Sequence, residues 1–183
     1  MEVLAGEGRV AKRGCDHVFF VGFLGAGKST LARNLGGMFS RRFVDTDRIV
    51  ERRRGMSVAK IFEVEGERRF RALETQALES LEGERSLLVS CGGGVVETPR
   101  NLELMRAMGY TVYLDGDIDD SLRQIRRSDT RPDFRDAEHA ARLLEHRRPL
   151  YRRAADFTVD IRDRTFTEVS YAVAEMLLER GLL

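Results

Sequence analysis

Lys28 and Ser29 stand near the end of the segment Gly22-Phe23-Leu24-Gly25-Ala26-Gly27-Lys28-Ser29-Thr30, which has the spacing G-x-x-x-x-G-K-[ST]. Those residue types at that spacing grip phosphate groups. Glycines let successive backbone N–H groups turn toward one anion, and the N-terminus of a following helix adds positive potential. Lys28 is placed to reach the outer phosphates, and the Ser29 hydroxyl to sit on Mg²⁺. The chemistry implied is binding of a nucleoside triphosphate with Mg²⁺, with Gly25, Ala26, Gly27, Lys28, Ser29 and Thr30 as the contacting residues.

Three further groups bear on what happens to that phosphate. Asp45-Thr46-Asp47 follows a short apolar run. In extended chain, carboxylates two residues apart point roughly the same way, so one can hold Mg²⁺ through water while the other faces an acceptor hydroxyl. Ser90-Cys91-Gly92-Gly93-Gly94 is the next. Three consecutive glycines after a buried strand imply close approach of the backbone or positive φ, and their N–H groups are candidates for holding an acceptor. Ser90 lies where many phosphate-loop enzymes carry an aspartate, and a hydroxyl there can hold a metal-bound water. The last group is arginine. Arg71 has Glu67 and Glu74 at helical spacing, so it also reads as a rung in a surface ion-pair ladder. Arg131-Pro132 lies in an irregular basic stretch that suits a flap over a triphosphate, and Arg147 stands beside Arg148-Pro149-Leu150-Tyr151. Arginine suits a bidentate grip on carboxylate or phosphate better than lysine does.

These residues need a scaffold, and the apolar pattern supplies one. Strands are expected at 18–21, 42–44, 87–90, 111–114 and 157–159. Helices are expected at 28–38, from a Ser57 cap to Phe62, at 67–81, from Thr98-Pro99 to Gly109, from the Asp117–Asp120 cluster, at 138–148, and after a Thr165-x-x-Glu168 capping box. Strands alternating with helices predict an α/β fold, a parallel sheet with helices on both faces. In such sheets the loops at the carboxyl ends of the strands converge on the ligand crevice.

Composition sets the outer limits. The chain has 183 residues and 42% hydrophobic content, which suits one domain with a full core. Its 31 basic and 30 acidic residues leave a net charge of +1, so no general attraction to nucleic acid or membrane is implied. No apolar run approaches a membrane span, and residues 1–16 lack the apolar centre of a secretory signal and read as a disordered extension. Cys15 and Cys91 form no C-x-x-C pair, which suits free thiols in a reducing cytosol. The three histidines show no metal-ligand spacing.

Taken in order, Gly22–Thr30, Asp45-Thr46-Asp47, Phe70-Arg71-x-x-Glu74, Gly92-Gly93-Gly94, Tyr113-Leu114, Arg131-Pro132 and Arg147-x-Pro149-Leu150-Tyr151 resemble the shikimate kinase family, over roughly residues 18–178. The resemblance implies a three-layer sandwich around a five-stranded parallel sheet of order 2-3-1-4-5. Residues 17–183 would form a single kinase domain, with a substrate-binding region at about 47–81 and a lid at about 126–138. The implied activity is transfer of the ATP γ-phosphate to the 3-hydroxyl of shikimate, on the route to chorismate and the aromatic amino acids. It implies a cytoplasmic monomer with Mg²⁺ as cofactor, shikimate and ATP as partners, and no role for nucleic acid or membrane.

By the same resemblance Asp47, Arg71, Gly93 and Arg147 would bind shikimate, flanked by Gly92 and Gly94. Arg71 and Arg147 would hold its carboxylate and Asp47 its hydroxyls, with Phe62 and Phe70 as walls and Glu74 supporting Arg71. Ser29 and Asp45 would hold Mg²⁺. Lys28, Asp47 and Arg131 would be the catalytic residues, with Arg131 meeting the phosphates from the lid. Two positions depart from the family pattern: Asp133-Phe134 replaces a usual pair of leucines, and His146 replaces a frequent lysine. Another small-molecule kinase, such as a gluconate kinase, and a non-catalytic relative of the same fold are the alternatives. The Asp-Thr-Asp and triple-glycine elements argue against the first, and retention of Lys28, Asp47 and Arg131 against the second.

Overall fold

Every residue of β1 (His17–Gly22) is buried in the computed structural model, which describes residues 15–117 and 137–183. A central strand covered by helices on both faces must be apolar throughout. Its side chains alternate: Phe19 and Val21 enter one core, Val18 and Phe20 the other. β2 (Phe43–Asp45), β3 (Leu88–Ser90), β4 (Gly109–Asp115) and β5 (Phe157–Asp160) complete a parallel sheet of order β2-β3-β1-β4-β5.

The first core is covered by α2 (Thr46–Arg54), α3 (Val58–Glu79), α4 (Pro99–Met108) and α5 (Ala137–Ala154). Their contributions include Val50, Phe70, Leu78, Met105 and Tyr151. The second core is covered by α1 (Lys28–Met38) and α6 (Phe166–Leu178), through Leu31, Leu35, Val173 and Leu177. The result is the three-layer α/β sandwich. Because α1 leaves β1 on one face and α4 leaves β3 on the other, the adjacent β1 and β3 form the switch point at which a crevice opens.

Several elements differ from the sequence expectation. The segment after Asp45 is helical, since the Asp45 carboxylate accepts from Arg48 N–H at 3.2 Å and caps α2. Asp45 therefore ends the extended chain of β2, while Asp47 lies on the first turn of α2. The two helices expected either side of residue 66 are one run broken at Gly66, where φ 79 and ψ 167 leave helical space. Ser57 does cap the first half, accepting from Lys60 N–H at 3.2 Å. Thr98 precedes α4 without a side-chain cap bond, and a 3-10 turn, Val95–Glu97, comes before it. α5 continues through Pro149 to Ala154. Proline removes a helix N–H there, and Tyr151 just beyond it is locked by its own contacts.

The fold starts earlier than residue 17. Cys15 is buried, and its carbonyl accepts from Ser86 N–H at 2.7 Å. His17 is also fully buried: its Nδ1 accepts from Leu87 N–H at 3.2 Å, which leaves Nε2–H to donate to the Leu81 carbonyl at 3.1 Å. Burial holds its pKa below the usual value. The helix expected from the Asp117–Asp120 cluster and the lid with Arg131 fall outside the described residues.

Candidate functional site

The loop between β1 and α1 has the conformation that anion binding needs. Gly25 (φ 79) and Gly27 (φ 82) adopt left-handed backbone that side-chain-bearing residues rarely tolerate. Gly27 is the N-cap of α1, and no side chain caps the helix. Its first N–H groups are the usual partners of a bound phosphate. Lys28 is buried, and its ammonium donates to the carbonyls of Gly22 at 2.9 Å and Phe23 at 2.8 Å, so the charge is kept at the mouth of the loop. Ala26 is packed in the second core and Thr30 is exposed on α1.

Strand order brings the expected metal residues together. Ser29 Oγ donates to Asp45 Oδ2 at 2.8 Å and lies 2.9 Å from Ser90 Oγ. Asp45 and Ser90 are register partners on β2 and β3, and β3 adjoins β1, so three oxygen-bearing side chains meet beside the phosphate loop. This donor set suits a hard cation that takes its other ligands from phosphate and water. Among the described residues no three His, Cys, Asp or Glu side chains cluster as a metal site, which such a cation does not require.

The triple glycine makes room for side chains. A Cβ on Gly92 would lie 2.6 Å from Asp47 Oδ1 and 2.7 Å from Glu74 Oε1. A Cβ on Gly94 would overlap the Arg71 guanidinium. None of the three has positive φ; steric room is the reason for Gly92 and Gly94, whereas a Cβ on Gly93 would make only ordinary contacts. The Gly92 N–H, a candidate for holding an acceptor, instead donates to Thr46 Oγ1 at 3.1 Å and ties β3 to the start of α2. Gly93 stands between the two halves of the site: a Cβ there would be 3.8 Å from Leu24 N and 3.6 Å from Arg147 Nη1. Its carbonyl accepts from Tyr151 O–H at 2.5 Å, and Tyr151 stacks on Tyr113 at 5.1 Å.

Arg71 is no surface rung. Its side chain is only 15% exposed, pairing with Glu67 at 3.0 Å and with the buried Glu74 at 3.2 Å. Phe62 and Phe70 cover the guanidinium, with centroids 5.9 and 5.5 Å away. Burial works against its charge, but the surrounding carboxylates outweigh that and raise its pKa. Glu74 goes the other way: burial, reinforced by Asp47, pushes it up to about 8 against the pull of Arg71. Its Oε1 is buried without a hydrogen-bond partner, as is Arg71 Nε.

Arg147, on α5, is buried and donates from Nε to Glu97 Oε1 at 2.6 Å, while Glu97 Oε2 lies 3.8 Å from Arg71 Nη2. Sequence reasoning missed Glu97, since an acidic residue just before a helix reads as a partner of the helix dipole. It also missed Asn101, fully buried on α4, which joins the Val95 carbonyl (3.0 Å) to Thr75 Oγ1 (2.7 Å) and fixes the turn carrying Glu97. Two of the four arginines in the Arg147–Arg153 cluster are paired at the end of β4, where Asp115 faces Arg148 and Arg152 and Asp117 faces Arg148. Cys15 and Cys91 are buried and form no disulfide, and burial pushes the Cys91 pKa well up. His146 is exposed.

The shikimate kinase family model matches residues 24–178. A shikimate kinase of Vibrio parahaemolyticus is 37% identical over 167 residues, covering 90% of this chain and 97% of that protein. One from Halorhodospira halophila is 38% identical over 165 residues, covering 88% and 93%. Among solved structures, the Acinetobacter baumannii shikimate kinase in complex with shikimate superposes with a TM-score of 0.85 at 32% identity, covering 94% of this chain and 98% of that one. The Aquifex aeolicus shikimate kinase gives 0.76 at 32% identity, covering 91% and 98%.

Proposed function

The chain belongs to the shikimate kinase family, and on that premise we infer that it transfers the γ-phosphate of ATP to the 3-hydroxyl of shikimate. The products are shikimate 3-phosphate and ADP, on the route to chorismate and the aromatic amino acids. One observation carries this reading to the site: two buried or half-buried arginines, Arg71 and Arg147, converge on a single carboxylate, with Gly93 between Arg147 and the phosphate loop.

Arg71 and Arg147 bind the carboxylate of shikimate, Asp47 its hydroxyls, and the Gly93 N–H adds a donor. Phe62 and Phe70 shield the Arg71 guanidinium from water, which strengthens its interaction with an acid. Gly92 and Gly94 leave the room that Asp47, Glu74 and Arg71 fill. Phosphoryl transfer goes through a loose transition state, so positioning and charge neutralisation supply most of the catalysis. Asp47 is held on the first turn of α2 by the Asp45 cap and by Thr46, and orients the attacking hydroxyl. Lys28 and the loop N–H groups bind the transferring phosphate. Arg131, outside the described residues, adds charge from the lid. Ser29 and Asp45, with Ser90 beside them, would hold Mg²⁺ directly or through water, and the ion would neutralise phosphate charge. Two buried cysteines that form no disulfide suit a cytoplasmic location. Family membership disfavours the gluconate kinase reading, and the intact site the non-catalytic one.

Asp47→Asn tests the assignment. It keeps the size of the side chain and loses its charge, so turnover of shikimate should fall by about two orders of magnitude or more. Near-normal turnover would show that Asp47 only shapes the pocket.

A further inference from the structure

Glu97 already makes the contacts proposed for the acid group of the substrate. One of its carboxylate oxygens accepts from Arg147 at 2.6 Å and the other faces Arg71 at 3.8 Å. Among the described residues Arg147 has no other ion-pair partner, although it is 4% exposed. A buried guanidinium left without a counter-charge is costly, so a carboxylate supplied by the chain itself stabilises the free protein.

We propose that Glu97 is an internal substitute for the substrate carboxylate: it occupies the arginine pair in the free enzyme and leaves when the acid group of the acceptor enters. This inference rests on reading Arg71 and Arg147 as the acceptor clamp. The local structure separates a fixed backbone from a releasable side chain. Glu97 N–H is bonded to the Gly94 carbonyl at 3.0 Å, and Asn101 holds the Val95 carbonyl at 3.0 Å, so the turn itself is pinned. The Glu97 side chain is 24% exposed and can rotate into solvent about its own bonds.

Two consequences follow from competition for one site. Affinity for the substrate is reduced by the fraction of time the clamp is filled from within, as for any protein whose competent state is partly populated. A neutral acceptor does not displace Glu97 and binds with the arginines still in use, so its affinity escapes that reduction. Glu97 thus tunes affinity for the acid group and does so through the free state.

The test is Glu97→Gln, with Glu97→Ala as a second variant that also removes the residual hydrogen bond to Arg147. Binding of shikimate, and of a shikimate analogue with a carboxamide in place of the carboxylate, is measured by calorimetry without nucleotide. Both variants should bind shikimate roughly fivefold to tenfold more tightly than the parent protein, with KM for shikimate falling in parallel. The carboxamide should gain clearly less than shikimate does. Unchanged or weaker shikimate binding in both variants would make Glu97 a brace for the arginines and overturn the inference while leaving the kinase reading intact. An equal gain for the carboxamide would also overturn it. A parent protein that neither binds nor phosphorylates shikimate would sink the functional reading and this inference with it.

Discussion

Asp47 Oδ1 and Glu74 Oε1 converge on the same face of Gly92, each within 2.7 Å of where a side chain there would begin. Two carboxyl groups so close in a buried pocket resist being charged together, and the more buried one, Glu74, titrates near 8. Glu74 thus takes up a proton far more readily than an ordinary glutamate, which favours Asp47 as the carboxylate proposed to face the acceptor.

That arrangement fixes a pH dependence of stability. The Glu74 pKa is 4.5 in the unfolded chain and about 8 in the fold. Between those values the folded protein holds a proton that the unfolded chain has released, so this group's contribution declines as pH rises through the window and levels off above it. Glu74→Gln cannot titrate. Its Tm should fall less than that of the parent between about pH 5 and about pH 9. Parallel Tm profiles would show that Glu74 is ionised throughout.

Gly92→Ala tests the steric role of the triple glycine. The added methyl would be 2.6 Å from Asp47 Oδ1 and 2.7 Å from Glu74 Oε1, so Asp47 has to move. Overpacking of this kind costs about 1–3 kcal/mol of stability. A displacement of about 1 Å at a positioned group costs on the order of a hundredfold in turnover. Steady-state kinetics on the folded variant would show it, and turnover within a few-fold of the parent would mean that the pocket yields freely.

Arg71→Ala separates the two ligands. Loss of one arm of a buried clamp should weaken shikimate binding by about 2–4 kcal/mol, while affinity for ATP changes much less. Calorimetry with each ligand measures both. Equal losses for the two would place Arg71 outside the acceptor pocket.

The sheet was legible because burial on both faces makes β1 and its neighbours apolar, and the phosphate loop because its glycines and Lys28 have a local conformational reason. α2 was overlooked although its signals are local: Asp45 caps it, Ile49 and Val50 are its buried pair, and Gly55 closes it in left-handed backbone. The Asp-Thr-Asp pattern drew attention as chemistry and hid its other use as a helix start. Arg71 was ambiguous because helical spacing to Glu67 and Glu74 is the same on a surface and in a pocket; only the placement of Phe62, Phe70 and Gly94 decides. Glu97 was not legible, since its meaning depends on α3 and α5 delivering Arg71 and Arg147 to the same turn from distant parts of the chain.

The central claim is that this site uses ATP to phosphorylate a small carboxylated alcohol, shikimate, and the most direct measurement is acceptor-dependent ADP release. The purified protein is assayed with Mg²⁺ and ATP against shikimate, gluconate and a nucleoside monophosphate, one at a time. ADP release should depend on shikimate, with a turnover of the order of 1–100 per second that is typical of kinases, and remain at background with the other two. Turnover with gluconate or the nucleoside monophosphate and none with shikimate would contradict the account.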